Sequence, residues 1–429
     1  MPDKILTHEP NAFGGRSQRW QASRLLSAPH RLAFFLAALL MAGVALWWSV
    51  VLYSRALGWI LPWAVPPTVA HGLLMTCAFM PLFMVGFLFT AGPNWLGVPK
   101  VAASSLLRPL LLISAGWVLA AAGFHFAMLL AAIGVGLACL GWSVLLWRFG
   151  RLIAASAVPD RLHVRAVHGV GWIGAAALAI AALALSIEAA ELARAATQIA
   201  LWAWVAATFA IVSHRMLPFF TASALPSVEA RRPNSLLGAM LLTLVLSALS
   251  QAAALLWWPL PAALHAAMAG LQAAAAALLS WLSLRWGLWP SRHNRLLAML
   301  HGGFVWLGIA LALAALSHAR VAWFGESAAL GLAPLHALTM GYLGATLMAM
   351  ITRVTAGHSG RSLVADNLAW VLYLTLQLAA LLRVTAALRP ALSQALTLAA
   401  ALAWTLACGG WAWRYGGWLG RPRADGRAG

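Results

Sequence analysis

Apolar residues run along this chain in blocks of about twenty, and the short stretches between them hold nearly all of its charge. A helix rising 1.5 Å per residue needs about twenty apolar residues to cross a bilayer core. Twelve blocks meet that condition: 32–53, 67–91, 105–123, 126–147, 166–187, 193–214, 235–257, 261–284, 295–317, 329–352, 367–388 and 392–413. Pro and Gly mark many of the connections, as at Pro66–Pro67, Gly92–Pro93 and Trp289–Pro290. The third and fourth blocks are joined near His125 by so few residues that they must form a tight hairpin. No connection is long enough for a second folded unit. The pattern therefore predicts an all-α, polytopic membrane protein: an N-terminal segment over 1–31, a twelve-helix domain over 32–413 and a basic tail over 414–429.

Composition agrees and adds an orientation. The chain is 63% hydrophobic and 9% charged, with a mean hydropathy of +0.85, more apolar surface than a soluble domain of 429 residues can hide. Its net charge of +19 is not a nucleic-acid signal, because no Lys/Arg stripe interleaves with aromatics on a polar face. The charge is instead sorted by side: with twelve crossings, 23 of the 28 Lys and Arg fall on the side of the two termini and five on the other. The positive-inside rule then makes both termini cytoplasmic. The apolar run after Arg31 is too long for a signal-peptide core and reads as a first helix that stays in place. Cys77, Cys139 and Cys408 are isolated within apolar blocks and read as small core residues.

Polar residues at membrane depth carry the candidate chemistry. Glu188, Glu191, Glu326 and Asp366 lie at block ends or in loops, which argues against a proton-driven transporter and against a paired-carboxylate hydrolase. Histidines fall into layers. His71, His265 and His336 lie a few residues inside the outer ends of blocks two, eight and ten, with His125 and His318 at that boundary. His168, His214, His301 and His358 lie toward the cytoplasmic side, while His8, His30, His163 and His293 read as solvated or interfacial. One buried imidazole usually just bonds a neighbouring carbonyl. Several at one depth suit haem iron or copper, for which neutral imidazole is a good ligand. Small residues recur at Gly341, Ala345 and Ala349 and at Gly169 and Gly171, where they allow either close helix approach or room for a flat cofactor. The matching Pro67/His71 and Pro261/His265 spacings are compatible with a six-plus-six repeat.

One region is recognisable. The stretches HALTMGYLG (His336–Gly344) and MITRVTAGHSGR (Met350–Arg361) resemble the signature of the NnrS family. GFLFTAGPNW (Gly86–Trp95), RMLPFFT (Arg215–Thr221) and Leu300-His301 with Trp306 resemble further segments of it, so the likeness covers roughly residues 31–415. It implies a multi-spanning protein of the bacterial inner membrane that contains haem b and copper and serves nitric oxide metabolism or resistance, with lipid and a small gaseous ligand as its partners. It makes His71, His301, His336 and His358 candidate ligands, with Arg215, Arg353 and Arg361 as supporting charges. His71 with His336 would ligate one haem in the outer layer. His301 with His358, joined by His214, would form an inner site for copper or a second haem, and Arg353 and Arg361 would meet haem propionates. Typical members carry a second His and a Glu just after the first histidine of helix two. Here those positions are Leu73 and Leu74, a departure that bears most on copper.

Three other classes stay open at this stage. A haem-copper-oxidase-like enzyme also has twelve spans with histidines on the second and tenth, but its pair of helix-ten ligands two residues apart is missing here. A transporter predicts flux without a chromophore, and a scaffold predicts indifference to loss of His71 or His336.

Overall fold

The computed structural model describes residues 19–427. Each apolar block forms one long helix: α1 Pro29–Ala56, α2 Pro67–Leu96, α3 Ala103–Phe126, α4 Met128–Ala155, α5 Leu162–Ser186, α6 Ala190–Ala224, α7 Asn234–Leu256, α8 Ala262–Arg285, α9 Arg295–Phe324, α10 Ala333–His358, α11 Asn367–Leu388 and α12 Pro390–Leu419. Among the described residues these twelve are long and apolar enough to cross a bilayer, so the chain is an all-helical, multi-pass membrane protein. Backbone groups in lipid must find partners within their own segment, which is why these blocks can only be helices.

Several helices outrun their apolar blocks. The α6 helix continues past His214 to Ala224, α10 runs past 352 to His358, and α12 continues beyond 413 to Leu419. The apolar windows stop at Arg215, Arg353 and Arg414, but helical hydrogen bonding does not. Long arginine stems stay in the helix and carry their charge toward the interface. Both ends of the described chain meet on one face. The Gln21 N–H donates to the Gly420 carbonyl at 2.8 Å, and Arg31 Nη1 donates to the Leu419 carbonyl at 3.0 Å. The tail then crosses to α10, with Ala424 N–H on the Ser359 carbonyl at 2.9 Å. A hydrogen bond from Arg423 holds the Asp425 carboxyl down to about 2. This end is called the terminal face below, and the other the far face.

Burial follows a period of four helices, not six. In an apolar eighteen-residue stretch of α2, α6 and α10, 83%, 83% and 78% of residues are buried, against 67% in α9 and 28–50% in the other helices. The outer helices form three arcs of sequential neighbours around that trio, α3–α4–α5, α7–α8–α9 and α11–α12–α1. The six-plus-six repeat suggested by Pro67 and Pro261 therefore does not describe the packing, since it would equate the inner α2 with the outer α8. The trio shares a second feature. In each of its helices the backbone hydrogen bonds widen by one residue into a π-helical segment, at Leu74–Ala78, Ala200–Ala206 and Ala337–Gly344. Such segments are rare and are frequent at functional sites.

The small residues set how closely helices approach. A Cβ on Gly123 of α3 would lie 2.2 Å from the Ala131 nitrogen of α4, so these two backbones touch. A Cβ on Gly341 would lie 2.4 Å from the Trp306 ring of α9, and one on Gly171 would lie 2.5 Å from the Leu146 side chain. Gly341 and Gly171 thus admit neighbouring side chains. Gly169 faces open space.

Candidate functional site

The three inner helices enclose a cavity of about 310 Å³ at their far-face ends, completed by α1, α11 and α12. His71 lies one turn inside the start of α2 and His336 in the first turn of α10, and both line this cavity. The α6 helix adds Arg194, Thr197 and Gln198 to its wall, and α11 adds Arg383. The three π-helical segments begin at or just below these residues, so the irregular backbone borders the cavity in all three helices.

The two imidazoles are held differently. His336 Nδ1 lies 3.0 Å from the Leu332 carbonyl. A carbonyl can only accept, so Nδ1 carries the proton and Nε2 keeps its lone pair. His71 stacks on the Trp48 indole, with ring centroids 4.0 Å apart and planes at 24°, and its Nδ1 is buried without a hydrogen-bond partner. Gln198 Oε1 is likewise buried and unpartnered. Arg383 lines the same cavity as both histidines and makes no ion pair or hydrogen bond among the described residues. Arg194, by contrast, pairs with Glu191 at 2.8 Å. The sulfurs of Met75 and Met340 bring soft, polarisable atoms to the same lining. The cavity thus combines two neutral-imidazole donors, an unneutralised guanidinium and apolar walls. Those are the groups that a metal macrocycle bearing carboxylates requires.

The remaining candidates lie elsewhere. His301 on α9 is fully buried, with Nε2 3.1 Å from Thr221 Oγ1 on α6 and Nδ1 unpartnered. His358 packs against His30, with ring centroids 4.4 Å apart and planes at 42°, and does not join His301. His214 has both nitrogens occupied: Nε2 donates to the Pro233 carbonyl at 3.2 Å, so Nδ1 accepts from His163 Nε2 at 3.0 Å. Among the described residues no group of three His, Cys, Asp or Glu side chains is arranged to hold a metal ion. The inner trio His301, His358 and His214 is therefore not brought together. Arg353 lies seventeen residues beyond His336, about 25 Å along α10, with its guanidinium 4.1 Å from the Phe220 ring. Arg361 lies still further on, 4.3 Å over Trp418. Neither faces the cavity of His71 and His336. Arg215 stacks over Trp95 at 4.6 Å.

Those last contacts join segments that the sequence singled out separately. Trp95 with Arg215, Thr221 with His301, and Phe220 with Arg353 link α2, α6, α9 and α10 at the terminal face. The model of the NnrS protein family matches residues 24–423. The chain belongs to the NnrS family. No curated protein matches it. In this NnrS chain the positions where a second His and a Glu were expected, Leu73 and Leu74, are both buried at 1% exposure and pack in the core.

Several residues escaped the sequence reading. His30 and His163 were expected to be solvated or interfacial; they are buried, each against another histidine. His8 lies outside the described residues. His265 and His318 form a third pair, Nδ1 to Nδ1 at 2.8 Å, with Glu326 3.5 Å from His265 Nε2. The largest omission is Arg383. A signal existed: five basic residues break the positive-inside pattern, and Arg194 and Arg383 are two of them. Both line the cavity.

Proposed function

We propose that this NnrS-family chain binds haem b in the far-face cavity, where His71 and His336 would hold it, and that it serves nitric oxide metabolism or resistance in the bacterial inner membrane with both termini cytoplasmic. One observation carries the reading: two histidines from α2 and α10 line a single cavity together with Arg383, which has no acidic partner among the described residues. The charge sorting of the sequence supports the orientation. Bound there, haem b supplies an iron able to take up a diatomic gas.

The chain's own residues divide the work unequally. The Leu332 carbonyl fixes the tautomer and ring plane of His336, as an outer partner of a ligand does. His71 has no such hydrogen-bonded anchor, and its ring is positioned by its stack on Trp48 alone. Arg383 offers a planar fork to carboxylates. The largely apolar walls lie within the helical bundle, a setting that suits a gas that partitions into lipid. Copper has less support, because the histidines expected for it sit in separate pairs.

The test is an absorption spectrum of detergent-purified protein, oxidised and dithionite-reduced, with metal analysis on the same sample. A haem b Soret band that shifts with nitric oxide and disappears in the double variant His71→Ala/His336→Ala is the expected result. Full haem content in that double variant would overturn the ligand assignment. A colourless protein from cells able to supply haem would move the reading to a transporter or scaffold.

A further inference from the structure

One arc departs from the pattern set by the other two. The first two helices of the arcs, α3 with α4 and α11 with α12, pack along their lengths. Their counterparts α7 and α8 splay, leaving an apolar groove of about 180 Å³ floored by Leu307 and Leu311 of α9. Leu242, Leu271 and Ala274 line its walls at mid-membrane depth. Toward the terminal face the groove runs into a wider cavity of about 950 Å³, because Ala239 and Leu278 belong to both. The character of the lining changes there. Arg285 in the last turn of α8, Ser235 in the first turn of α7, and Ser227 and Arg231 of the α6–α7 loop surround the opening.

The charge at this opening is positive and partly unspent. Arg231 is paired with Glu229 at 2.9 Å. Arg285 makes no ion pair among the described residues and lies 5.8 Å from the Trp281 ring. The α7 helix begins at Asn234 after Pro233 with no side chain capping its first turn; the Leu236 N–H is taken by the Pro233 carbonyl at 3.1 Å, and Ser235 of that turn lines the opening. Trp281 and the neighbouring Trp289 are exposed at the depth that indoles prefer, where lipid headgroups begin. An anion-seeking mouth at headgroup level thus leads into a dry, apolar slot at acyl-chain level.

We propose that an anionic phospholipid of the surrounding leaflet occupies this groove, with its phosphate at Arg285 and the first turn of α7 and an acyl chain between α7 and α8. Basic pockets between helices on the positively charged side of membrane proteins recognise such headgroups, and each Arg near the surface contributes about 1 kcal/mol, or roughly fivefold. The site stands apart from the histidine cavity and does not rest on the haem reading. Its role is to fill the gap in the α7–α8–α9 arc.

The experiment is native mass spectrometry of the full chain, extracted in mild detergent after equilibration with vesicles of equimolar phosphatidylglycerol and phosphatidylcholine. The expected result is one retained phosphatidylglycerol per chain, about fivefold over phosphatidylcholine. Arg285→Gln should abolish that preference and Arg285→Lys should keep it. Ala274→Trp, at an exposed groove position, should reduce retention of both lipids. Equal retention of the two lipids, or a preference unchanged in Arg285→Gln, overturns the proposal. Displacement by millimolar inorganic phosphate also overturns it, since the mouth would then be a free-anion site. Arg285 is exposed, so its variants test the charge without disturbing the core.

Discussion

Gly341 tests whether the small residues of α10 serve helix packing or cofactor space. Replacing it with Ala adds one methyl, whose carbon would sit 2.4 Å from Trp306 Cδ2 and 2.6 Å from Cε3. An ordinary carbon contact is about 3.5 Å or more, so the indole must retreat by about 1 Å. It cannot do so freely. Trp306 is 7% exposed, and its Nε1 donates to Gln377 Oε1 at 2.7 Å. Overpacking of this kind costs about 1–3 kcal/mol, and straining the buried hydrogen bond adds about 1 kcal/mol. Ala is favoured over Gly within a helix by about 1 kcal/mol. The net expectation is a loss of about 1–3 kcal/mol, opposite in sign to helix propensity alone. Thermal unfolding of purified protein in detergent, followed by tryptophan fluorescence, reads it. Trp306→Phe in the same background should recover most of the loss, because the smaller ring vacates the contact, and a double-mutant cycle isolates that coupling. A Gly341→Ala protein as stable as the parent or more so would refute the packing account. Normal stability with lost haem would point instead to a cofactor at Gly341.

Four further outcomes follow from the two sides of α10. His336→Ala should lose haem, whereas His71→Ala should retain it with a shifted Soret band, because only His336 is anchored by a carbonyl; equal loss in both would remove that asymmetry. Arg383→Gln should lower haem retention in dialysis about tenfold, the scale of one hydrogen bond to a charged group, and should lower the midpoint potential in a redox titration. Arg353→Gln and Arg361→Gln should leave spectrum and potential unchanged, since both guanidinia stack on aromatics at the terminal face; a shifted band in either would place them near the chromophore. His214→Ala should destabilise the protein by about 1–3 kcal/mol, by stranding the Pro233 carbonyl and His163, while metal content per folded chain stays constant.

The fold was legible because bilayer thickness imposes a length that the apolar blocks display directly. Helix ends were less so, since Arg215, Arg353 and Arg414 interrupt hydrophobicity without interrupting hydrogen bonds. The placement of His71 and His336 in one layer could be read from their distance to the ends of their blocks. Depth, however, is only one coordinate. His301, His358 and His214 also share a layer, yet they point to Thr221, His30 and His163. Azimuth around each helix depends on packing and, in α2, α6 and α10, on π-helical segments that rotate everything beyond them. No single-helix pattern records that. Arg383 was hidden for a different reason: the cavity it lines is assembled from helices far apart in sequence, and only its position against the positive-inside rule marked it.

The period of four has an electrical consequence. Four is even, so α2, α6 and α10 all cross in the same direction and present their N-terminal ends together at the far face. Each helix start carries roughly half a positive elementary charge, and the cavity lies within the first turns of all three. Three converging macrodipoles therefore make its ground potential positive before any side chain is considered, and Arg383 adds to it. A redox centre lodged there is biased toward the electron-rich member of its couple, and ionised carboxylates are drawn to the same end. The topology alone would thus shift the potential of such a site upward.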